Sequence, residues 1–467
     1  MTMSRRDLLK RSAVGAGVLA VGNVRSLFGA TPALAIPRGL EAAGSYGLLY
    51  PDPAGILDLP PGFTYRIVSR AGDVLTNGAR LPGNFDGTGA FAAPGGGVRL
   101  VRNHEQGGSA TWSTVAAADS TVVYDPGATG GTSTLELNKY GDRADEYVSL
   151  AGTFSNCAGG VTPWGTWLTC EETETKAGGQ FTKSHGFVFE VDPANPANNA
   201  TPAPLTALGR YAHEAACIDP GTGTVYLTED AGNPNGLVYR CVPANPSPGY
   251  GNLRDGGTLT AMRCRSGGSA VPDLSVYTQP GTELSVEWVT VPDPLAASTS
   301  TRKQFRYASN AGAPEATRSR KFEGAWWDAG RAFIVCSFAR RSDGSVGEHD
   351  GQVWSYDPLT AVLRLEVRFD VNWAPDGEGA DLPDGPDNIT VSPWGGLVLC
   401  EDGDGVQHLL AVAPDGSTSL FARNHANDSE FTGATFSPDR HTLFANIQSP
   451  GITFAITGPF AKVNRSR

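Results

Sequence analysis

Acidic side chains recur in this chain at a set distance from a turn. Glu214 stands six residues before Pro220, and Glu229 and Asp230 stand nine and ten residues after it. Cys157 bears a similar relation to Pro163, with Glu171 and Glu172 on the far side, and Asp387 to Pro393, with Glu401 and Asp402. Glu323 precedes Ala329 by six residues but meets only Ser337 and Phe338 on the return, and Glu105 closes a further copy. A chain that runs to a turn and comes back as an antiparallel pair brings its two ends together. If several such pairs share one mouth, Cys157, Glu172, Glu214, Glu323 and Asp387 converge on a small volume. Like charges placed so would repel until some took up protons, and bound cations are the economical way to hold them. Carboxylate oxygens suit calcium or magnesium, whereas one thiolate among them suits a transition metal such as iron. Zinc fits poorly, because there are only seven His and no Cys-x-x-Cys pair. His104, in Asn-His-Glu, and His213, in His-Glu, are candidates for orienting or anion-binding roles, and equally for ordinary strand histidines.

The elements that would position these groups form a repeat. Six copies begin at Thr88, Cys157, Glu214, Glu323, Asp387 and Thr432. Each runs through two small residues and a pair of mostly apolar ones to a Pro or Ala and a short turn, then into a β-type run, the signature of a hairpin. Their spacing of 45 to 109 residues leaves room for further strands in each unit, which is the blade spacing of a propeller. The predicted fold is therefore all-β, a six-bladed β-propeller with inserted segments. The 109-residue interval between the third and fourth copies calls for an insertion or a degenerate extra blade within 240–320. Two packed β-sandwiches would explain the single repeated motif less well. Abundant Gly (59) and Pro (33) agree with a turn-rich all-β chain. Cys170, Cys336 and Cys400 fall in mid-strand and read as core fillers, as does Cys217. With seven Cys at least one thiol is unpaired, and Cys241 with Cys264 is the one pairing the flanking sequence suggests.

The chain opens with Ser4-Arg5-Arg6-Asp7-Leu8, a short Ala/Gly/Val-rich stretch and Ala33-Leu34-Ala35. That order predicts a twin-arginine export signal over 1–35, recognised by the twin-arginine machinery and removed, leaving one domain over 36–467. The expected location is periplasmic, at the cell envelope or extracellular. No later stretch approaches the roughly 20 apolar residues of a membrane helix. A formal charge of −12 argues against nucleic acid as a partner, and a monomer is expected.

Leu-Val-Arg-Asn-His-Glu (100–105), Asn-Cys-Ala-Gly-Gly-Val-Thr-Pro-Trp-Gly-Thr-Trp-Leu-Thr-Cys-Glu-Glu-Thr (156–173), Gly-Arg-Tyr-Ala-His-Glu (209–214), Phe-Glu-Gly-Ala-Trp-Trp (322–327), Pro-Asp-Asn-Ile (386–389) and Asn-Ile-Gln-Ser-Pro-Gly (446–451) together resemble the PhoX family of bacterial alkaline phosphatases. The resemblance runs in order from about Gly62 to Gly451. It implies a six-bladed propeller whose channel mouth holds Fe3+ and Ca2+, acting on small phosphate monoesters. It implies further that Cys157 is an iron-ligating thiolate, that Glu172, Glu214, Glu323 and Asp387 are carboxylates shared between iron and calcium, and that Asn156 stands beside the phosphate. One departure concerns the cation two residues before Glu323. The family places an Arg there, and this chain has Lys321, a point charge without the bidentate fork. The expected mechanism is attack by a hydroxide or oxo group on the metals, with Lys321 and Arg210 adding positive charge. Neither a Gly-x-Ser-x-Gly elbow near the repeats nor a P-loop is present. Calcium-dependent propellers acting on phosphodiesters or lactones, and a non-catalytic metal-binding propeller, are the alternatives the residues leave open.

Overall fold

The computed structural model describes residues 46–107, 114–117, 119–307, 312–338, 351–369, 383–403 and 405–461. The export signal expected over 1–35 lies outside them. Among the described residues there are strands, bridges, turns and short 3-10 segments, and no α-helix. All six expected hairpins form: Phe85–Ala93 with Gly97–His104, Asn156–Val161 with Trp167–Glu171, His213–Ile218 with Val225–Glu229, Phe322–Asp328 with Arg331–Cys336, Pro386–Val391 with Leu397–Glu401, and Phe431–Phe436 with Thr442–Ile447. Their first strands pack each on the next and the sixth on the first, in a closed ring. The chain is a β-propeller.

Further strands extend each hairpin outward, and the pattern of burial follows their depth. Trp167–Glu171 is buried at every position, as expected of a strand covered on both faces. Val362–Arg368, at the outside, alternates instead, with Leu363, Leu365 and Val367 inward. Both ends of the domain share the last sheets. Thr64–Arg70 pairs with Ile452–Thr457, and Leu57–Asp58 pairs with Thr418–Asn424, so early strands complete sheets made by the C-terminal part. Between 240 and 320 the chain lays down Gly257–Ser266 and Glu283–Thr290, and the latter pairs with Val362–Arg368. The third and fourth hairpins thereby belong to one continuous sheet.

Cys170, Cys336 and Cys400 are fully buried residues of three separate cores, and Cys217 is buried in the same core as Cys336. Cys241 and Cys264 are not paired. They contribute to separate cores, and their strand partners are Leu259 and Val286.

The ring closes tightly because its inner layer is small. Gly87, Ala158, Ala215, Gly324, Asn388 and Gly433 line the central cavity, one from each hairpin. A Cβ on Gly433 would come within 2.5 Å of Asp86 O, and its φ is +60°. Gly433→Ala should therefore cost more than about 2 kcal/mol, from the left-handed dihedral and the clash together. Gly330→Ala, left-handed but in open space, should cost only about 1 kcal/mol. Denaturant unfolding of the two variants checks the difference.

Candidate metal centre

Each inner hairpin carries the same irregularity. Register slips by one between Phe85 and Thr88, Asn156 and Gly159, His213 and Ala216, Phe322 and Ala325, Pro386 and Ile389, and Thr432 and Thr435. A bulge of this kind leaves residues unpaired and re-aims a side chain. In the first five hairpins the bulged pair begins with Asp86, Cys157, Glu214, Glu323 and Asp387. The sequence register placed Thr88 at the head of the first copy. That register was anchored on the turn, and the first hairpin is two residues longer, so Asp86 takes the equivalent place. Two residues earlier, Asn84, Ser155, Lys321 and Gly385 all have φ near +50°, which turns the chain into the strand at the same point in four hairpins.

These side chains converge. Cys157, Glu172 and Glu214 offer ligand atoms all within 4.8 Å of one another, as do Glu214, Glu323 and Asp387, and Asp387, Asp402 and Glu430. Glu214 and Asp387 belong to two sets each, so the three sets form a chain across the mouth. The Cys157 thiol donates to Glu214 Oε1 at 3.2 Å. Ser337 Oγ donates to Glu323 Oε1 at 2.7 Å, and Lys321 Nζ lies 3.0 Å from the same oxygen and 4.0 Å from Asp230 Oδ2. Gln448 Nε2 donates to Glu105 Oε2 at 3.1 Å and Asp86 Oδ2 at 3.4 Å.

Burial, then mutual repulsion, pushes the carboxyls of Asp86, Glu172, Glu214, Asp387 and Glu430 well above the ordinary range. Asp230 rises to about 7 for the same reasons. Burial and the facing carboxylates also raise the Cys157 thiol. Glu323 foremost, with Asp230, Asp402 and Asp387, holds Lys321 protonated. One ammonium cannot neutralise so many acids, and the donor set fits cations: oxygens for hard ions, with a single thiolate at one end for a softer one.

Strand alternation sends other predicted candidates elsewhere. Glu171, Glu229 and Glu401 precede Glu172, Asp230 and Asp402 and are fully buried on the opposite face. Glu171 accepts from the N–H groups of Phe154, Gly186 and Phe187 and lies 2.6 Å from His185 Nδ1. Glu229 accepts from Tyr239 Oη and Arg302, and Glu401 from Asp384 N–H, with His408 Nδ1 at 2.7 Å. They anchor loops. His104 bridges Gly83 O and Ser133 Oγ, and His213 stacks on Tyr211 with Nε2 at Gly209 O. Burial pushes both imidazoles down, to about 3, and both rings are held inside the fold by these contacts, as strand histidines are. Asn156 is buried, with its amide between Thr153 and Thr169. The Arg210 guanidinium donates to the carbonyls of Glu174, His185, Leu295 and Ala296. Both side chains are thus engaged with groups of the protein itself.

Sequence reasoning missed Asp86 and Glu430. The signal that could have found Asp86 is an acid followed by small residues, Asp-Gly-Thr-Gly, as in Glu-Ala-Ala-Cys and Glu-Gly-Ala-Trp of the third and fourth copies. Glu430 stands two residues before Thr432, the position Lys321 holds in the fourth hairpin.

The family model for alkaline phosphatase PhoX matches residues 44–145 and 141–451. The chain belongs to the PhoX family. That family is one of phosphomonoesterases, and it implies metal cofactors. Among solved structures, Pseudomonas fluorescens PhoX in complex with vanadate, a transition state analogue, is 19% identical with a TM-score of 0.63, over 86% of this chain and 96% of that one. This likeness shows the propeller fold. A gluconolactonase from Xanthomonas campestris is 13% identical over 84% and 100% of the two chains, but its TM-score of 0.37 carries no argument. No curated protein sequence matches the chain. Among the described residues no helix is long and apolar enough to cross a membrane.

For this PhoX-family chain the electrostatics have a sign. Carboxyls whose folded pKa is raised leave the folded state holding more protons than the unfolded one, so stability is lost as pH rises above the ordinary carboxylate range. Chelator-treated protein should therefore melt lower at pH 8 than at pH 5, by roughly 5 °C or more, and added calcium should remove most of that slope. Thermal melts with and without EDTA check it.

Proposed function

We propose that this chain hydrolyses phosphate monoesters at the channel mouth, with Fe3+ and Ca2+ held by Cys157, Glu172, Glu214, Glu323 and Asp387. Asp86, Glu105, Asp230, Asp402 and Glu430 extend that donor set. The observation that carries the reading is the chain of three ligand groups, linked through Glu214 and Asp387 and beginning at a lone thiol. Membership in the phosphatase family supports the reaction class.

When bound, such cations supply charge neutralisation for a phosphoryl group and activation of water near neutral pH. The chain's own residues do the rest. Lys321 Nζ stands beside Glu323, half-exposed and held protonated by its neighbours, where it can meet a phosphoryl oxygen as a point charge. Ser337 donates to the same Glu323 oxygen and so helps to hold that carboxylate in place. Gln448 holds Glu105 and Asp86 in the same way. Asp402 and Lys321 are among the more exposed members, which supports their side of the mouth as the one open to solvent and to the leaving alcohol. Export by the twin-arginine route accords with a protein that folds around its metals before crossing the membrane.

The test is p-nitrophenyl phosphate turnover from pH 7 to 10 by the chain from Ile36, with iron and calcium measured on the same sample. Cys157→Ala and Glu323→Ala should lower kcat by at least about a hundredfold and reduce bound metal. Lys321→Ala should cost about tenfold to a hundredfold in kcat/KM, and Lys321→Arg should retain activity. Metal-loaded protein that turns over diesters or lactones but no monoester would overturn the assignment.

A further inference from the structure

The bulge that aims each ligand residue also strands its backbone. Cys157, Glu323 and Asp86 have no ladder partner in their own hairpins, and a buried carbonyl left without a donor is costly. In all three cases a donor comes from the preceding hairpin in the ring, and Asp86 O accepts in addition from Thr88 Oγ1 of its own hairpin at 2.9 Å. Asn103 Nδ2 reaches Cys157 O at 2.7 Å and Ala158 O at 2.8 Å. Thr228 Oγ1 reaches Glu323 O at 2.6 Å. Asn446 Nδ2 reaches Asp86 O at 3.0 Å.

The three donors hold one repeat position. Each is the residue before the strand partner of its hairpin's first paired residue: His104 opposite Phe85, Glu229 opposite His213 and Ile447 opposite Phe431. The other three hairpins carry Cys170, Val335 and Cys400 there, so the fold itself accepts an apolar or thiol side chain at this place. All three donors are fully buried, and each is held from behind. Asn103 Oδ1 accepts from Trp167 Nε1, Asn446 Oδ1 accepts from Thr453 Oγ1, and Thr228 Oγ1 accepts from Ala215 N–H.

We infer that Asn103, Thr228 and Asn446 are positioning residues that fix the ligand-bearing bulges of Cys157, Glu323 and Asp86 across hairpin boundaries, so that the metal centre is preformed and not gathered by the ions. The inference rests on the metal-centre reading above. Groups that orient ligands without touching the ion typically govern affinity by 10- to 100-fold.

Calorimetric titration of the chelator-treated chain with calcium chloride tests it. Thr228→Val, which installs the residue the fourth hairpin already carries, should weaken calcium binding about tenfold. Thr228→Ser, which keeps the hydroxyl, should stay close to the parent. Thr132→Val supplies the comparison, since it cuts the buried Thr132–Ser149 hydroxyl pair in the outer strands and should lower the melting temperature without moving calcium affinity. If Thr228→Val does not fold, Thr228→Cys makes the same comparison with a weak donor. Unchanged affinity in Thr228→Val or Thr228→Cys, with only a lower melting temperature, would overturn the inference. A parent chain that binds no calcium would overturn the metal reading with it.

Discussion

Carboxylates held within a few ångströms of one another, mostly out of water, repel, and the rest of the molecule is organised around keeping them there. Glu214, Glu323 and Asp387 come from three hairpins and meet within 4.8 Å. No local interaction could assemble them, because each lies on a different strand. The ring does so by making every inner strand present the same bulge at the same height. The layer beneath is Gly, Ala or Asn, so that the strands approach closely enough to focus the ligands. One ammonium, from Lys321, relieves part of the conflict. The remainder is what cations would neutralise, and it links metal binding directly to stability.

Rigidity comes from the face that the ligands do not use. Alternation along each return strand puts Glu172, Asp230 and Asp402 at the mouth and Glu171, Glu229 and Glu401 behind them. The second set is tied into loops by backbone N–H groups, a histidine, a tyrosine or an arginine. Buried and hydrogen-bonded, these carboxylates do not compete for cations. They hold the strand ends from which the ligands project. Arg210 and Asn156 serve the same kind of purpose, gripping loop carbonyls and strand hydroxyls.

Much of this was legible because repetition amplifies weak signals. A single Glu at a strand end says little, but a hairpin motif repeated six times, with an acid or a thiol at the same distance from four of the turns, implied a ring and a shared mouth. Cys157, Glu172, Glu214, Glu323 and Asp387 could be singled out on that ground. The register of the first copy could not be placed from its turn, because two extra residues in a strand shift every position and leave the turn chemistry unchanged. Asp86 was lost for that reason. The candidate roles of His104, His213 and Arg210 rested on residue type and that of Asn156 on the family resemblance, and neither says which neighbours a side chain will satisfy.

By itself the sequence determined the all-β class, the repeating hairpins and the acids that gather at their open ends. Each of these follows from local spacing, and local spacing is set by strand periodicity and turn geometry. Only the tertiary structure decided which of two adjacent acids faces the mouth, which hydrogen bonds cross from one hairpin to the next, and that Glu430 joins Asp387 and Asp402. Those depend on where strands distant in sequence lie against one another, and a one-residue slip reverses the facing of every side chain.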